Sequence, residues 1–396
     1  MSDPLLLTFN AGSSSIKIGL FAIVDGRAQH LGKGAVDLQK HPLVLTIKGE
    51  TQETIPLAAA VSDDLHDVLE ETLRWLGLHF RMDDLVVVGH RVVHGGDIFA
   101  GPVAIDDTSL AAIAGLTELA PLHQPQSLRL IRAIRHLRPD LQQTASFDTA
   151  FHRSQSDTVR RFALTRALHA QGIKRYGFHG LSYTFIAKAL RQAAPDIAAG
   201  RVVVAHLGSG ASLCALLDGR SQDSSMGFST LDGIPMSTRC GALDPGVLLH
   251  LLEHHRMTLE GLEDLLYHGS GLLGLSGISG DTRVLLASEA PEAREAIEVF
   301  TLRVAREIVA LANTIGGLDA IVFTAGIGEH QPEIREAVCA RLGWLGVALD
   351  AAANAASVRR IEQPGSRIAV LVLATDEEQV IADDAVALLH PHRTAA

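Results

Sequence analysis

Cysteine is nearly absent: Cys214, Cys240 and Cys339 are the only three in a chain of 396 residues. An odd, widely spaced set supplies neither a disulfide framework nor a zinc knuckle, and it fits a reducing compartment. Positive charge is short as well, with 34 Lys and Arg against 45 Asp and Glu and a formal net charge of -11. The two signs are mixed along the chain, and a nucleic acid or an anionic membrane would repel such a protein at long range, so neither is expected as a partner. No apolar run approaches the length of a membrane span. The start, Met1-Ser2-Asp3-Pro4, lacks the basic region of a targeting segment, and a cytoplasmic location is expected. Three motif classes are missing too. The Walker spacing Gly-x-x-x-x-Gly-Lys-Ser does not occur, none of the Gly-rich turns that follow a strand has the nicotinamide-type spacing Gly-x-Gly-x-x-Gly, and no Gly-x-Ser-x-Gly elbow follows a strand, which excludes the common hydrolase arrangement.

What is present is ample apolar material, 47% hydrophobic against 20% charged, in a chain long enough for two domains. The opening stretch LLLTFNAGSSSIKIGLFAIVDGR (5–27) reads as strand, tight turn, strand, with an Asp-Gly pair that signals a hairpin. VVVAHLGSGASLCALLDGR (202–220) repeats that plan. Two halves built alike suggest a duplicated α/β domain; two unrelated hairpins are the other reading. Further strands are expected at 85–89, 145–147, 320–324 and 368–373, and helical periodicity at 64–76, 127–137, 181–193, 293–315 and 377–389. Alternating strands and helices imply α/β layers, whose ligands sit where strands end. No low-complexity linker separates the halves, so the domains are expected to meet around a cleft near residue 148.

Three Gly-rich turns follow strands: NAGSSS (10–15), HLGSGAS (206–212) and TAGIGEH (324–330). Glycine lets backbone amides approach an anion together, and serine hydroxyls add donors, as polyphosphate oxygens require. Ser13 and Ser15 can hold phosphate or a hydrated Mg²⁺, Asn10 can orient them, and Lys17 can reach a phosphate; a solvated strand edge is the alternative. Beyond other strands or at turns stand Arg91 in GHRVVHGG, His123 in APLHQPQS, Asp148 in SFDTAFH, His179 in RYGFHGLS and Arg239 in MSTRCGALDPG. An arginine so placed can grip a carboxylate or phosphate with two prongs. These histidines show neither the close pairing nor the companion cysteines of a zinc site.

The stretches FNAGSSSIK, GHRVVHGG, APLH, FDTAFH, RYGFHGLS, HLGSGAS, DGIPMSTRCGALDPG, SGLLGLSGISGDTR, FTAGIGEH and TDEE stand in the same order as in the acetate and butyrate kinase family. The chain resembles that family from its first strand to its last helix. The resemblance implies an α/β fold of two duplicated actin-like (ribonuclease H-like) domains around a nucleotide cleft. The expected bounds are 1–147 plus a returning helix in 379–396, and 148–378 for the nucleotide domain. It implies a homodimer that phosphorylates acetate with ATP and Mg²⁺ (Mn²⁺ as a substitute). Asn10 and Glu377 correspond to the metal region, with Ser13, Ser15 and Lys17 beside the phosphates. Arg91, His123, Asp148, His179 and Arg239 correspond to the catalytic cluster, and Arg91 with Val93, Leu122 and Phe178 to the acyl site. His206, Leu207, Gly208, Ser209 and Gly210, then Asp281, Thr282 and Arg283, then Gly326, Ile327, Gly328, Glu329 and His330 correspond to the nucleotide site.

This chain departs from the family pattern at Ser209 and His330, usually Asn, at Ala325, usually Gly, at Asp376, usually Asn, and at Thr230, usually Pro beside the acyl group. A propionate-preferring kinase is therefore an alternative, as is a nucleotide-binding sensor without catalysis. A carboxylate acceptor is already ionised at neutral pH, so in-line transfer to it needs positioning and positive charge and no general base. A hydroxyl-directed kinase would instead need Asp148 as its base.

Overall fold

Seven consecutive buried residues, Leu5–Ala11, form β1, the strand around which the first sheet is built. In the computed structural model, residues 3–12, 15–38, 42–48, 52–59 and 65–389 are described; Ser13, position 64 of one expected helix and positions 390–396 of the returning segment lie outside them. β1 pairs antiparallel with β2 (Ser15–Val24) and parallel with β6 (Leu85–Val92). β3 (Arg27–Asp37), β4 (Val44–Lys48) and β5 (Gln52–Pro56) extend one edge, and β8 (Gln142–Phe147) with the short β7 (Val103–Ala104) the other, giving the order β5-β4-β3-β2-β1-β6-β8-β7.

Alternation along β1 sorts its side chains to opposite faces. Leu5, Leu7 and Phe9 face a core shared with Val68, Leu69, Leu130 and Ile134 of the helices His66–His79 and Gln124–Leu137. Leu6, on the other face, joins Phe21, Ile23 and Val87 against Ala382, Ala385 and Val386 of the helix Glu377–Leu389. Glycines open the seat of that last helix. A Cβ at Gly19 would fall 3.2 Å from Cβ of Glu378, and one at Gly89 would strike Ile381.

The second sheet has the order β11-β10-β9-β12-β13, with β9 Arg201–Leu207, β10 Ala211–Leu217, β11 Arg220–Ser224, β12 Ala320–Thr324 and β13 Ala369–Val372. β9 pairs antiparallel with β10 and parallel with β12, as β1 does with β2 and β6. β3 and β11 close the two meanders, and β8 and β13 complete the parallel side of each. The five strands β1, β2, β3, β6 and β8 thus have the same topology as β9, β10, β11, β12 and β13. Both Asp-Gly turns carry positive φ at each residue, Asp25 51° and Gly26 73°, Asp218 52° and Gly219 66°. That is the mirror-image turn whose twist matches a hairpin. The helix Pro291–Thr314 packs on β9 and β10 and buries Phe300, Val304 and Ile308.

The chain divides into two compact units, one of Met1–Phe151, Gly180–Phe185 and Asp376–Ala396, the other of His152–His179 and Ile186–Thr375. The expected helix at 64–76 runs His66–His79, and that at 127–137 begins earlier, at Gln124, with Pro125 in its first turn. The third Gly-rich segment corrects its reading as a turn, because Ala325–His330 is helical. Among the described residues no helix is long and apolar enough to cross a membrane.

Candidate active site

In the first unit the strand ends gather a charged network. Asn10, at the end of β1, is 4% exposed. Its Nδ2 donates to Glu377 Oε2 at 2.8 Å and Glu378 Oε1 at 3.1 Å, both from the first turn of the returning helix. Arg91, near the end of β6, donates from Nη2 to Asp148 Oδ2 at 2.6 Å and from Nε to both Asp148 oxygens at 3.2 Å. Its Nη1 donates to Asn10 Oδ1 at 3.3 Å and to the Ala11 carbonyl at 3.2 Å. Burial works against the Arg91 charge, but Asp148, by charge and hydrogen bonding, and then Glu377 and Glu378 raise its pKa above the ordinary value. The guanidinium has five N–H bonds, and these contacts leave one, on Nη2. A two-pronged grip on a substrate by Arg91 therefore needs a rearrangement, because Asp148 already occupies one edge of the fork.

Lys17 is exposed on β2 directly across from Asn10, hence on the same sheet face. Ser15 begins β2, its carbonyl accepting from the Gly12 N–H at 2.8 Å. His123 precedes the helix Gln124–Leu137. Of the acyl-site residues, Val93 is buried and Leu122 is 37% exposed in this unit, whereas Phe178, also buried, belongs to the second unit.

In the second unit His179, His206, Gly210 and Arg239 come together. His179 has φ 57°, a left-handed conformation that a residue with a Cβ adopts only under constraint. Its Nδ1 lies 2.8 Å from Ser212 Oγ, and its ring stacks on His206 with centroids 4.3 Å apart. Ser212 stands opposite His206 in the β9–β10 register. Arg239 Nη1 donates to the Thr230 carbonyl at 2.8 Å. A side chain at Gly210 would collide with the Arg239 guanidinium and sit 3.5 Å from His179 Nε2. Glycine here lets the Arg239 guanidinium and the His179 ring close on the backbone of the phosphate-type loop.

Beside that loop, within the second unit, is a cavity of about 570 Å³ lined by Gly208, Ser209, Asp281, Thr282, Arg283, Gly326, Ile327 and His330, with Ser237, Gly280 and Gln331. Eight of the residues expected at the nucleotide site line it; the other three were not singled out. Arg283 pairs with Asp281 at 2.6 Å, and that bond holds the Asp281 carboxyl below its ordinary pKa. His206 and Gly210, which stand with His179, and Leu207, Gly328 and Glu329 are not among the lining residues. Leu207 is buried in β9, Gly328 packs on Phe323, and the Glu329 carboxylate accepts from the N–H groups of Ala325 at 2.8 Å and Thr375 at 3.2 Å. Ala325, with φ 65°, is where β12 turns into its short helix.

Two residues that sequence reasoning passed over hold these loops. Arg335, fully buried, donates to the Gly328 carbonyl at 2.8 Å and the Glu329 carbonyl at 3.0 Å, and also to Asn354 and Ser357. His152, inside a motif that was noticed, bonds to Ser221 and Phe178. Nothing in local spacing separates such residues from ordinary surface arginines and core histidines.

The duplicated topology and the cavity behind Gly-rich turns define an actin-like phosphotransferase. The sequence profile of the Acetokinase family matches residues 5–383, and the chain belongs to that family. It is 50% identical over 390 residues to an acetate kinase of Rhodopseudomonas palustris, covering 96% of this chain and 97% of that one. It is 45% identical to an acetate kinase of Methylocella silvestris, covering 97% and 98%. Among solved structures, a propionate kinase from Francisella tularensis superposes with a TM-score of 0.91 at 34% identity over 97% of this chain and all of that one. Porphyromonas gingivalis acetate kinase gives 0.86 at 31% identity over 98% and 100%.

Proposed function

We propose that this chain transfers the γ-phosphoryl group of ATP to the carboxylate of acetate, giving acetyl phosphate and ADP, and runs the reverse reaction. A carboxylate oxygen forms the new bond to phosphorus while the bond to the ADP oxygen breaks, and no proton moves at neutral pH. The observation that carries this reading is the state of Asp148. The buried carboxylate at the end of β8 is engaged along its edge by Arg91, an arrangement suited to an acceptor that needs no base. A hydroxyl-directed kinase would need that carboxylate to receive a proton.

The nucleotide occupies the cavity at Gly208, Ser209, Asp281–Arg283, Gly326, Ile327 and His330. Arg239 and His179, converging on Gly210, donate to the equatorial phosphoryl oxygens as they flatten, and the gain is electrostatic. Arg91 presents its remaining N–H and its charge to the acid, with His123 assisting and Val93, Leu122 and Phe178 about the methyl group. Lys17 and Ser15 serve the phosphates. The donor set in the first unit fits a hard divalent cation, which takes oxygen ligands and keeps several waters. Glu377 and Glu378 would hold Mg²⁺, or Mn²⁺ in its place, with Asn10 orienting both carboxylates and Asp148 contributing through water. Bound there, the ion would neutralise phosphate charge. The protein acts as a homodimer in the cytoplasm; exposed Leu243, Leu249, Leu259 and Leu275 in the second unit support a covered face.

The structural likeness to a propionate kinase favours propionate as a second substrate, since one methylene in an apolar pocket discriminates by only about 1–3 kcal/mol. Hydroxamate trapping of acyl phosphate with Mg-ATP and formate, acetate, propionate and butyrate in parallel tests this. We expect kcat/KM to peak at acetate. A peak at propionate makes Thr230 the first residue to revert to proline, and no product with any acid leaves only nucleotide binding.

A further inference from the structure

His152 is 1% exposed and lies in the second unit with the turn that carries His179. Its Nε2 is 2.9 Å from the carbonyl oxygen of Phe178, and its Nδ1 is 2.9 Å from Ser221 Oγ. A carbonyl only accepts, so Nε2 carries the proton and Nδ1 is the acceptor. The Gln155 amide nitrogen donates to Ser221 Oγ at 3.1 Å and lies 3.4 Å from Nδ1, and Cys214 Sγ is 3.3 Å from Ser221 Oγ, so Nδ1 faces groups that can donate to it. Burial lowers the His152 pKa to about 4, so the ring is neutral at physiological pH and this bonding pattern is stable.

The ring also rests on Gly177. A Cβ there would fall 2.5 Å from His152 Cγ, and Gly177 has φ 83°. The N–H groups of Tyr176 and Gly177 both donate to the Gly227 carbonyl, at 2.9 and 3.2 Å. Phe178 therefore stands between two left-handed residues, Gly177 at 83° and His179 at 57°. For His179, a residue with a Cβ, that conformation is strained and persists only where the surroundings over-determine it.

We propose that His152 is a positioning residue for phosphoryl transfer: by holding the Phe178 carbonyl, it fixes the left-handed turn that presents His179 Nε2 beside Gly210 and Arg239. This rests on the reading of His179 as a donor to the transferred group. His152 itself touches no reacting atom.

Two amides separate this role from plain core filling. The Gln side-chain nitrogen reaches the place of histidine Nε2 and can still donate to Phe178, whereas the shorter Asn nitrogen reaches only the place of Nδ1. We expect His152→Gln to keep kcat within about 3-fold of the parent and His152→Asn to lower it about 10- to 100-fold, the scale of an ångström-level misplacement of a catalytic group. The KM values for ATP and acetate should change little in either, and melting curves of the two variants should coincide. In a His179→Ala background, His152→Asn should cause no further loss of kcat, because the two residues act as one unit. Equal kcat for the two amides, or an undiminished effect of His152→Asn without His179, overturns the proposal. Full activity of His179→Ala by itself overturns the role of His179, a separate failure visible before the amides are compared.

Discussion

The two sheets share one strand order and differ in the residues that close their first strand. After β1 the chain leaves Asn10 among Arg91, Glu377 and Glu378, a knot of side chains of both charges. After β9 it leaves His206 and then Gly208 and Gly210, where side chains are cleared away so that Arg239 and His179 close on bare backbone. One scaffold thus carries two surroundings at its strand ends, carboxylate-rich in one copy and lined by bare backbone in the other. A duplicated α/β core fixes where strands end, and the residues at those ends are free to specialise.

The sharpest way to break the comparison is to remove one charged group from each side. Arg239→Ala should lower kcat by about 10²- to 10³-fold, the usual loss of a donor to developing charge, while ATP affinity by calorimetry stays near the parent value. Loss of ATP binding would move Arg239 to the nucleotide site. Asp148→Asn should instead destabilise the fold, by about 3–5 kcal/mol in urea unfolding, because a mostly buried guanidinium loses its counter-charge. A fully stable Asp148→Asn protein would mean that Arg91 is solvated.

Acid should weigh on the first unit more than the second. Burial holds His90 and His94 in the first, and His152 in the second, at pKa values of about 4, against an ordinary 6.5. The unfolded chain takes up these protons first, so the stability they contribute is whole above pH 6.5 and is lost as pH falls through about 4. Each histidine should cost about 1.4 kcal/mol per pH unit in that window. Urea titrations from pH 7.5 to 4.5 measure the slope, and a flat profile would show the three rings to be hydrated.

Glycines sharpen the contrast on a smaller scale. Among the described residues Gly12→Ala meets only the Ser15 carbonyl at 3.4 Å, an ordinary contact, whereas Gly210→Ala displaces Arg239. Their kcat values should differ by about 10-fold or more, and equal values would mean that Arg239 reaches phosphate by another route. Smallest of all, Ala325→Gly should relieve the left-handed alanine and raise stability by about 0.5–1 kcal/mol, net of glycine's greater unfolded-state freedom. An unchanged or lower melting point would mean that the Ala325 methyl contributes packing equal to its strain.

Local patterns made much of this legible. The strand at Ala320–Thr324, the helix at Glu377–Leu389 and the Asp-Gly hairpins follow from periodicity and turn chemistry. Of the eight expected residues that line the second unit's cavity, Gly208, Ser209, Gly326, Ile327 and His330 stood in Gly-rich segments, and Asp281, Thr282 and Arg283 came from the family resemblance. What escaped is long-range or neutral. The bond from Asn10 to Glu377 spans 367 positions; no window of sequence contains both, and only the family resemblance placed the two together. The segment after β12 looked like a turn because its glycines dominate, yet Glu329 reaches back to cap Ala325 and starts a helix. The β4–β5 hairpin and β7 are short edge strands without a continuous apolar run.

The helix Glu377–Leu389 has a consequence for synthesis. It is made after every strand of the first sheet, yet it covers Leu6, Phe21 and Val87 of that sheet. A ribosome-bound chain short of residue 377 therefore carries the first sheet with one apolar face open and the Glu377 and Glu378 carboxylates missing, the state most prone to aggregation during growth. The second unit's sheet is complete by Val372, before that helix is made, so its strands do not wait for the helix.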